Sequence, residues 1–102
     1  MIHVLATIQI KPGRRSEFLV ELQQIVETVR AETGCVQYAP CLDVESRIPV
    51  QAAPRPDVVT IIEQWESIDT LTQHLSAPHM VEYRGRVREF VDWVDLRILE
   101  PA

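Results

Sequence analysis

The chain has 102 residues, a formal charge of −5, and hydrophobic and charged fractions of 46% and 25%. This is the size of one domain, residues 1–102, with the composition of an ordinary globular protein. The acidic balance, with a pI of about 5.1, argues against nucleic acid or an anionic membrane as a partner, because both call for a basic face. The only local basic cluster, Arg84, Arg86 and Arg88, is interrupted by Glu82, Glu89 and Asp92. No apolar run approaches the roughly 18 residues of a membrane span. The N-terminus shows no basic region leading into an apolar one, so no signal peptide is expected and the cytoplasm is the expected location.

Residues 2–10 alternate, with Ile2, Val4, Ala6, Ile8 and Ile10 on one face, which predicts a strand. Pro12 and Gly13 break it. From residue 14 to 33 the period changes. Phe18, Leu22, Ile25, Val26 and Val29 form one stripe of an amphipathic helix, with Gly34 in the place of a left-handed C-cap. Residues 35–42 read as a second strand, demoted to an edge or a bulge by Pro40. Residues 43–57, with Pro49, Pro54 and Pro56, read as a long loop, of the kind that is often functional or mobile.

Residues 58–65 are apolar on both faces and predict a strand covered on both sides. Ser67 is a good N-cap for a short helix carrying Leu71 and Leu75. Pro78 fits the first turn of another, lined by Met80, Tyr83, Val87 and Phe90. Val94, Leu96 and Ile98 then alternate along a final strand. The order strand, helix, strand, strand, helix, strand predicts an α+β, ferredoxin-like βαββαβ fold. Its four-stranded antiparallel sheet would carry both helical segments on one face. The bare face would need covering, and a second copy of the chain would cover it.

Cys35 and Cys41 lie about 20 Å apart if both are on one extended strand, beyond the roughly 7 Å a disulfide allows. Two free thiols are expected. There is no G-x-G-x-x-G, P-loop or Ser-His-Asp set to single out. No metal site is expected either. His74 and His79 are five apart with Pro78 between them, so they are not a pair on one helix face, and no acidic cluster or CxxC joins them.

The segment Glu63-Gln64-Trp65-Glu66-Ser67, followed by Leu71, His74, Leu75 and Pro78-His79-Met80, gathers the residues best suited to chemistry. With Ile8-Gln9-Ile10-Lys11-Pro12-Gly13 and Gly34-Cys35-Val36-Gln37-Tyr38, it resembles the antibiotic biosynthesis monooxygenase domains, which include quinol monooxygenases. The resemblance implies a dimeric α/β barrel and oxygenation of an electron-rich phenol or quinol by dioxygen, without metal or flavin. It does not extend to the heme-degrading members. Their histidine on the last helix falls near Arg84 here, and the chain has no asparagine to match the one on their first strand. The asparagine and tyrosine that flank the tryptophan in the antibiotic-pathway oxygenases are replaced in the neighbourhoods of Ile61 and Leu71.

Each candidate has two readings. Trp65 is a core aromatic at a strand end or a flat wall for an aromatic ligand. Glu63 shares its strand face, and is either paired with an arginine such as Arg97 or acts as a base or hydrogen-bond partner for substrate. His74, at the margin of its helix's apolar stripe, and His79 are surface or capping histidines or general bases near neutral pH. Tyr38 and Tyr83 pack the core or line a pocket. A non-oxidative isomerase of a small carbonyl compound, or a ligand-binding dimer without catalysis, are the alternatives to an oxygenase.

Overall fold

A computed structural model describes residues 1–102. The elements are β1 (Ile2–Ile10), α1 (Arg15–Arg30), β2 (Cys35–Cys41), β3 (Val58–Trp65), α2 (Ile68–Ser76), α3 (Pro78–Val87), a 3₁₀ turn (Arg88–Phe90) and β4 (Val91–Leu99). The strands form one antiparallel sheet in the order β2-β3-β1-β4. This is the ferredoxin-like α+β arrangement, with the helical segment between β3 and β4 divided into α2 and α3.

Period two decides which side chains meet the helices. Val4, Ala6, Ile8 and Ile10 of β1 are buried, and their register partners put Ile61 and Glu63 of β3 on the same face. The stripe of α1, Phe18, Leu22, Ile25, Val26 and Val29, is buried against this face. Phe18 meets Tyr83 of α3 edge to face, with ring centroids 6.3 Å apart.

Several boundaries differ from the sequence expectation. α1 ends at Arg30 with Ala31 as its right-handed C-cap, so Gly34 caps nothing. Gly34 does adopt φ +82, and for a different reason. A Cβ there would lie 2.5 Å from the Thr70 side chain. The turn after α1 thus rests directly on the first turn of α2. That turn is held by a capping box between Ser67 and Thr70. The stripe of α3 ends at Val87, and Phe90 is buried from the 3₁₀ turn instead. β4 starts at Val91, ahead of its alternation, and a register shift separates Gln9 from Ile10 where it pairs with β1.

The loop over 43–57 is closed at its base by Arg55, whose guanidinium donates to both carboxylate oxygens of Asp43 at 2.8 and 3.1 Å. Cys35 and Cys41 are free thiols. A register shift between Cys35 and Gln37 turns the two to opposite faces of β2. No helix is long and apolar enough to cross a membrane.

The helices do not reach across β4. Val94, Leu96 and Ile98 face the helix side, opposite Ile8, Ala6 and Val4, yet each is about half exposed. The outer face of the sheet also carries apolar groups. Leu5 and Ile62 pair across strands, and Trp93 and Leu99 flank them along β4.

Candidate functional site

Between the sheet and the three helices lies a cavity of about 480 Å³, within the usual range for a small-molecule pocket. Its walls are apolar side chains from β1, β3, β4 and all three helices. The polar groups that line it are Glu63, His74, Tyr38, Tyr83, Arg84 and Arg88.

Four of the six residues singled out from the sequence line this cavity. Glu63 projects from β3, Tyr38 from the facing position on β2, His74 from α2 and Tyr83 from α3. Trp65 does not. It is fully buried behind the wall, where its indole N–H donates to Glu63 Oε1 at 2.9 Å. Its ring lies 4.6 Å from that of His74, tilted by 34°. Trp65 shares a strand face with Glu63, as period two requires, but α2 folds over that end of the strand and closes it. His79 does not line the cavity either. It sits at the start of α3, a quarter exposed.

His74 is not at the margin of α2 but at its buried centre, 2% exposed, while Leu75 is only half-buried. Three residues from Leu71, the imidazole faces inward and meets Tyr38 edge to face at 5.7 Å. Arg97 cannot pair with Glu63. Its register opposite Leu5 points it to the outer face, where it reaches Asp95 at 3.4 Å.

One residue escaped the sequence reading altogether. Glu32, just past the end of α1, places Oε2 2.8 Å from Nδ1 of His74 and 3.0 Å from Nε2 of His79. A local signal did exist. A carboxylate beside the negative end of a helix dipole is unfavourable, and a broken local rule often marks a functional position. Arg84 and Arg88 were also missed as lining residues. They sat in a basic cluster that reads as a solvated helix face.

The electrostatics follow from burial. Glu63 is pushed up to about 7, chiefly by desolvation and further by the charge of Glu32, with the Trp65 hydrogen bond opposing. His74 is pushed below its ordinary value by burial, against the pull of Glu32. Near neutral pH the imidazole is therefore neutral and the carboxyl is poised between its two forms. Desolvation pushes the Tyr38 and Tyr83 phenols well above the ordinary tyrosine value, so both keep their protons. No buried side-chain nitrogen or oxygen lacks a partner. The two phenol hydroxyls, Nε2 of His74 and Oε2 of Glu63 make no protein hydrogen bond, none of them is fully buried, and all four residues line the cavity. The site can accept a proton at His74, hold a second polar atom at Glu63, and offer an aromatic ring apolar walls.

The chain is thus a small ferredoxin-like α+β domain whose mostly apolar cavity carries a carboxyl and an imidazole in its lining. Residues 1–86 match the family model for antibiotic biosynthesis monooxygenase, and the chain belongs to that family. It is 41% identical to the probable quinol monooxygenase YgiN of Escherichia coli (strain K12), across 100% of this chain and 99% of that protein. Among solved structures it is similar to PA3566 from Pseudomonas aeruginosa, with a TM-score of 0.81 and 26% identity over 99% of this chain and 93% of that one. It is also similar to a conserved protein from Methanosarcina mazei Go1, with a TM-score of 0.84 and 25% identity over 99% and 92%. The chain is thus monooxygenase-like in family and in fold.

Proposed function

We propose that the protein is a cofactor-independent monooxygenase of an electron-rich phenol or hydroquinone. The observation that carries this reading is the presence of both His74 and Glu63 in the lining of a mostly apolar cavity that Phe18, Tyr38 and Tyr83 also line. Triplet dioxygen reacts slowly with closed-shell organic molecules unless it receives an electron, and a phenolate or hydroquinone anion is such a donor. His74 Nε2 takes the phenolic proton. Glu63 Oε2 and the tyrosine hydroxyls fix the oxygens of the ring, and the apolar walls keep water from the reduced oxygen species. The balance for a phenol with a free para position is phenol plus dioxygen giving para-quinone plus water. One oxygen atom forms the new carbonyl at the para carbon, whose C–H bond breaks, and the other leaves as water with that hydrogen as one proton and the phenolic proton held on His74 as the second. A cavity of 150 Å³ holds benzene, so about 480 Å³ has room for a one- or two-ring hydroquinone.

The working unit in this reading is a homodimer. Leu5, Ile62, Trp93 and Leu99 leave an apolar stripe on the outer sheet face, and a second copy covers it. The function is tested by oxygen uptake with a panel of hydroquinones and polycyclic phenols. Uptake above the spontaneous rate supports the reading. Turnover of a carbonyl substrate without oxygen would favour an isomerase instead.

A further inference from the structure

The geometry points to Glu32 as a positioning residue that selects the tautomer of His74: it holds the proton on Nδ1 and leaves the lone pair of Nε2 facing the cavity. Glu32 Oε2 has two imidazole nitrogens within hydrogen-bond distance, Nδ1 of His74 at 2.8 Å and Nε2 of His79 at 3.0 Å. A carboxylate oxygen only accepts. A protonated Oε2 would carry a single hydrogen and could serve only one ring. Both contacts are met together when each ring donates an N–H to the same oxygen.

For His74 this fixes the rest. A neutral imidazole carries one proton, so a donor at Nδ1 is an acceptor at Nε2. His74 lines the cavity, and its Nε2 has no protein partner and is not fully buried. The ring cannot escape by rotating, because it is clamped between Trp65 at 4.6 Å and Tyr38 at 5.7 Å. When Nε2 accepts a proton, the carboxylate 2.8 Å away faces the imidazolium and stabilises it. This is the role of the aspartate in a Ser-His-Asp triad. His79 holds Glu32 in place from the outside. The side-chain exposures, 2% for His74, 14% for Glu32 and 26% for His79, order the three from cavity to surface.

The local fold explains why Glu32 can be there. The close approach of Gly34 to Thr70 seats the turn after α1 on α2, and the Gly34 carbonyl accepts from Glu66 N–H at 2.9 Å. Glu32 is thereby carried under His74, 42 positions away in sequence.

The catalytic consequence rests on the oxygenase reading, while the tautomer does not. The test is nitrogen-15 NMR of ring-labelled protein at neutral pH, comparing wild type with Glu32→Met, which keeps the side chain's length and removes the acceptor. The expected wild-type spectrum shows a pyrrole-like Nδ1 and a pyridine-like Nε2 for His74. In Glu32→Met this pattern inverts or mixes. Oxygen uptake would then show kcat reduced by roughly 10²–10⁴-fold with KM little changed. A wild-type His74 protonated at Nε2, or a pattern unaltered in Glu32→Met, overturns the assignment. If Glu32→Met does not fold, the wild-type spectrum alone decides. If the expected tautomer is found but no phenol or hydroquinone is oxygenated, the positioning geometry stands and the oxygenase reading fails.

Discussion

Trp65 is bound to Glu63 through its indole nitrogen, which donates to one carboxylate oxygen at 2.9 Å and leaves the other for the cavity. The two residues are adjacent on one face of β3, so the contact costs little backbone ordering. It holds an acid whose burial opposes ionisation. Trp65→Phe keeps most of the packing and removes the donor. We expect a loss of roughly 1–3 kcal/mol in denaturant unfolding at pH 8, where the carboxylate is left without its donor, and a smaller loss at pH 5.

The buried carboxyl sets a dependence of stability on pH. Glu63 is raised to about 7 in the folded chain from an ordinary value of 4.5. The folded state then binds more protons than the unfolded one between those values, so this residue's contribution falls as pH rises from 4.5 to about 7 and is flat beyond. His74 acts in the opposite sense. Its folded value is depressed, so its contribution is complete above about 6.5 and is lost as pH falls below that. Glu63→Gln keeps an acceptor for Trp65 and removes only the first effect. Thermal melts of the variant and wild type should coincide near pH 4.5 and separate above pH 7. There the variant should be more stable by roughly 1–3 kcal/mol.

Of the three glycines, Gly34 is the least able to change. Its φ is +82, and a Cβ would meet Thr70 carbons at 2.5 Å. Gly34→Ala should destabilise by roughly 2–4 kcal/mol, read in urea unfolding. It should also loosen Glu32 from His74, since that contact depends on the same seat. Gly13, with φ +78 and open space around it, should lose only about 1 kcal/mol on the same substitution.

The elements legible in the sequence are those fixed by local rules. Alternation over residues 2–10 and 58–65, the α1 stripe, Ser67 as a cap and Pro78 at a helix start all depend on neighbours a few positions apart. What was not legible depends on register and on long-range contact. A pairing of Glu63 with Arg97 stays open in the sequence because strand register is not legible there. Period two then turns Arg97 to the opposite face. For Trp65 the sequence leaves both a core place and a pocket wall open, because only the placement of α2 shows that the wall ends at Glu63 and His74. His74 was set at a margin because Leu75 is the more apolar residue, yet the helix phase buries the histidine. Glu32 has no neighbour in sequence that announces its two imidazole partners.

The outer sheet face makes a prediction about assembly. Leu5, Ile62, Trp93 and Leu99 are each between about a third and a half exposed in the single chain, more apolar surface than an edge strand safely leaves to water. Sedimentation at micromolar concentration should give a dimer. Trp93→Glu should shift it toward monomer, because a charge would then be buried in the interface. A wild-type monomer would remove the dimer from the account.

The measurement that tests the account most directly is isotope tracing with oxygen-18 gas. Purified wild type and His74→Ala are each incubated with a two-ring phenol that has a free para position. The account predicts one labelled oxygen in the quinone formed by wild type and the other in water. Turnover by His74→Ala should be lower by about 10²–10⁴-fold, with the fold intact by circular dichroism. Oxygenation by His74→Ala at the wild-type rate, or a wild-type product with no label above the spontaneous reaction, would contradict it.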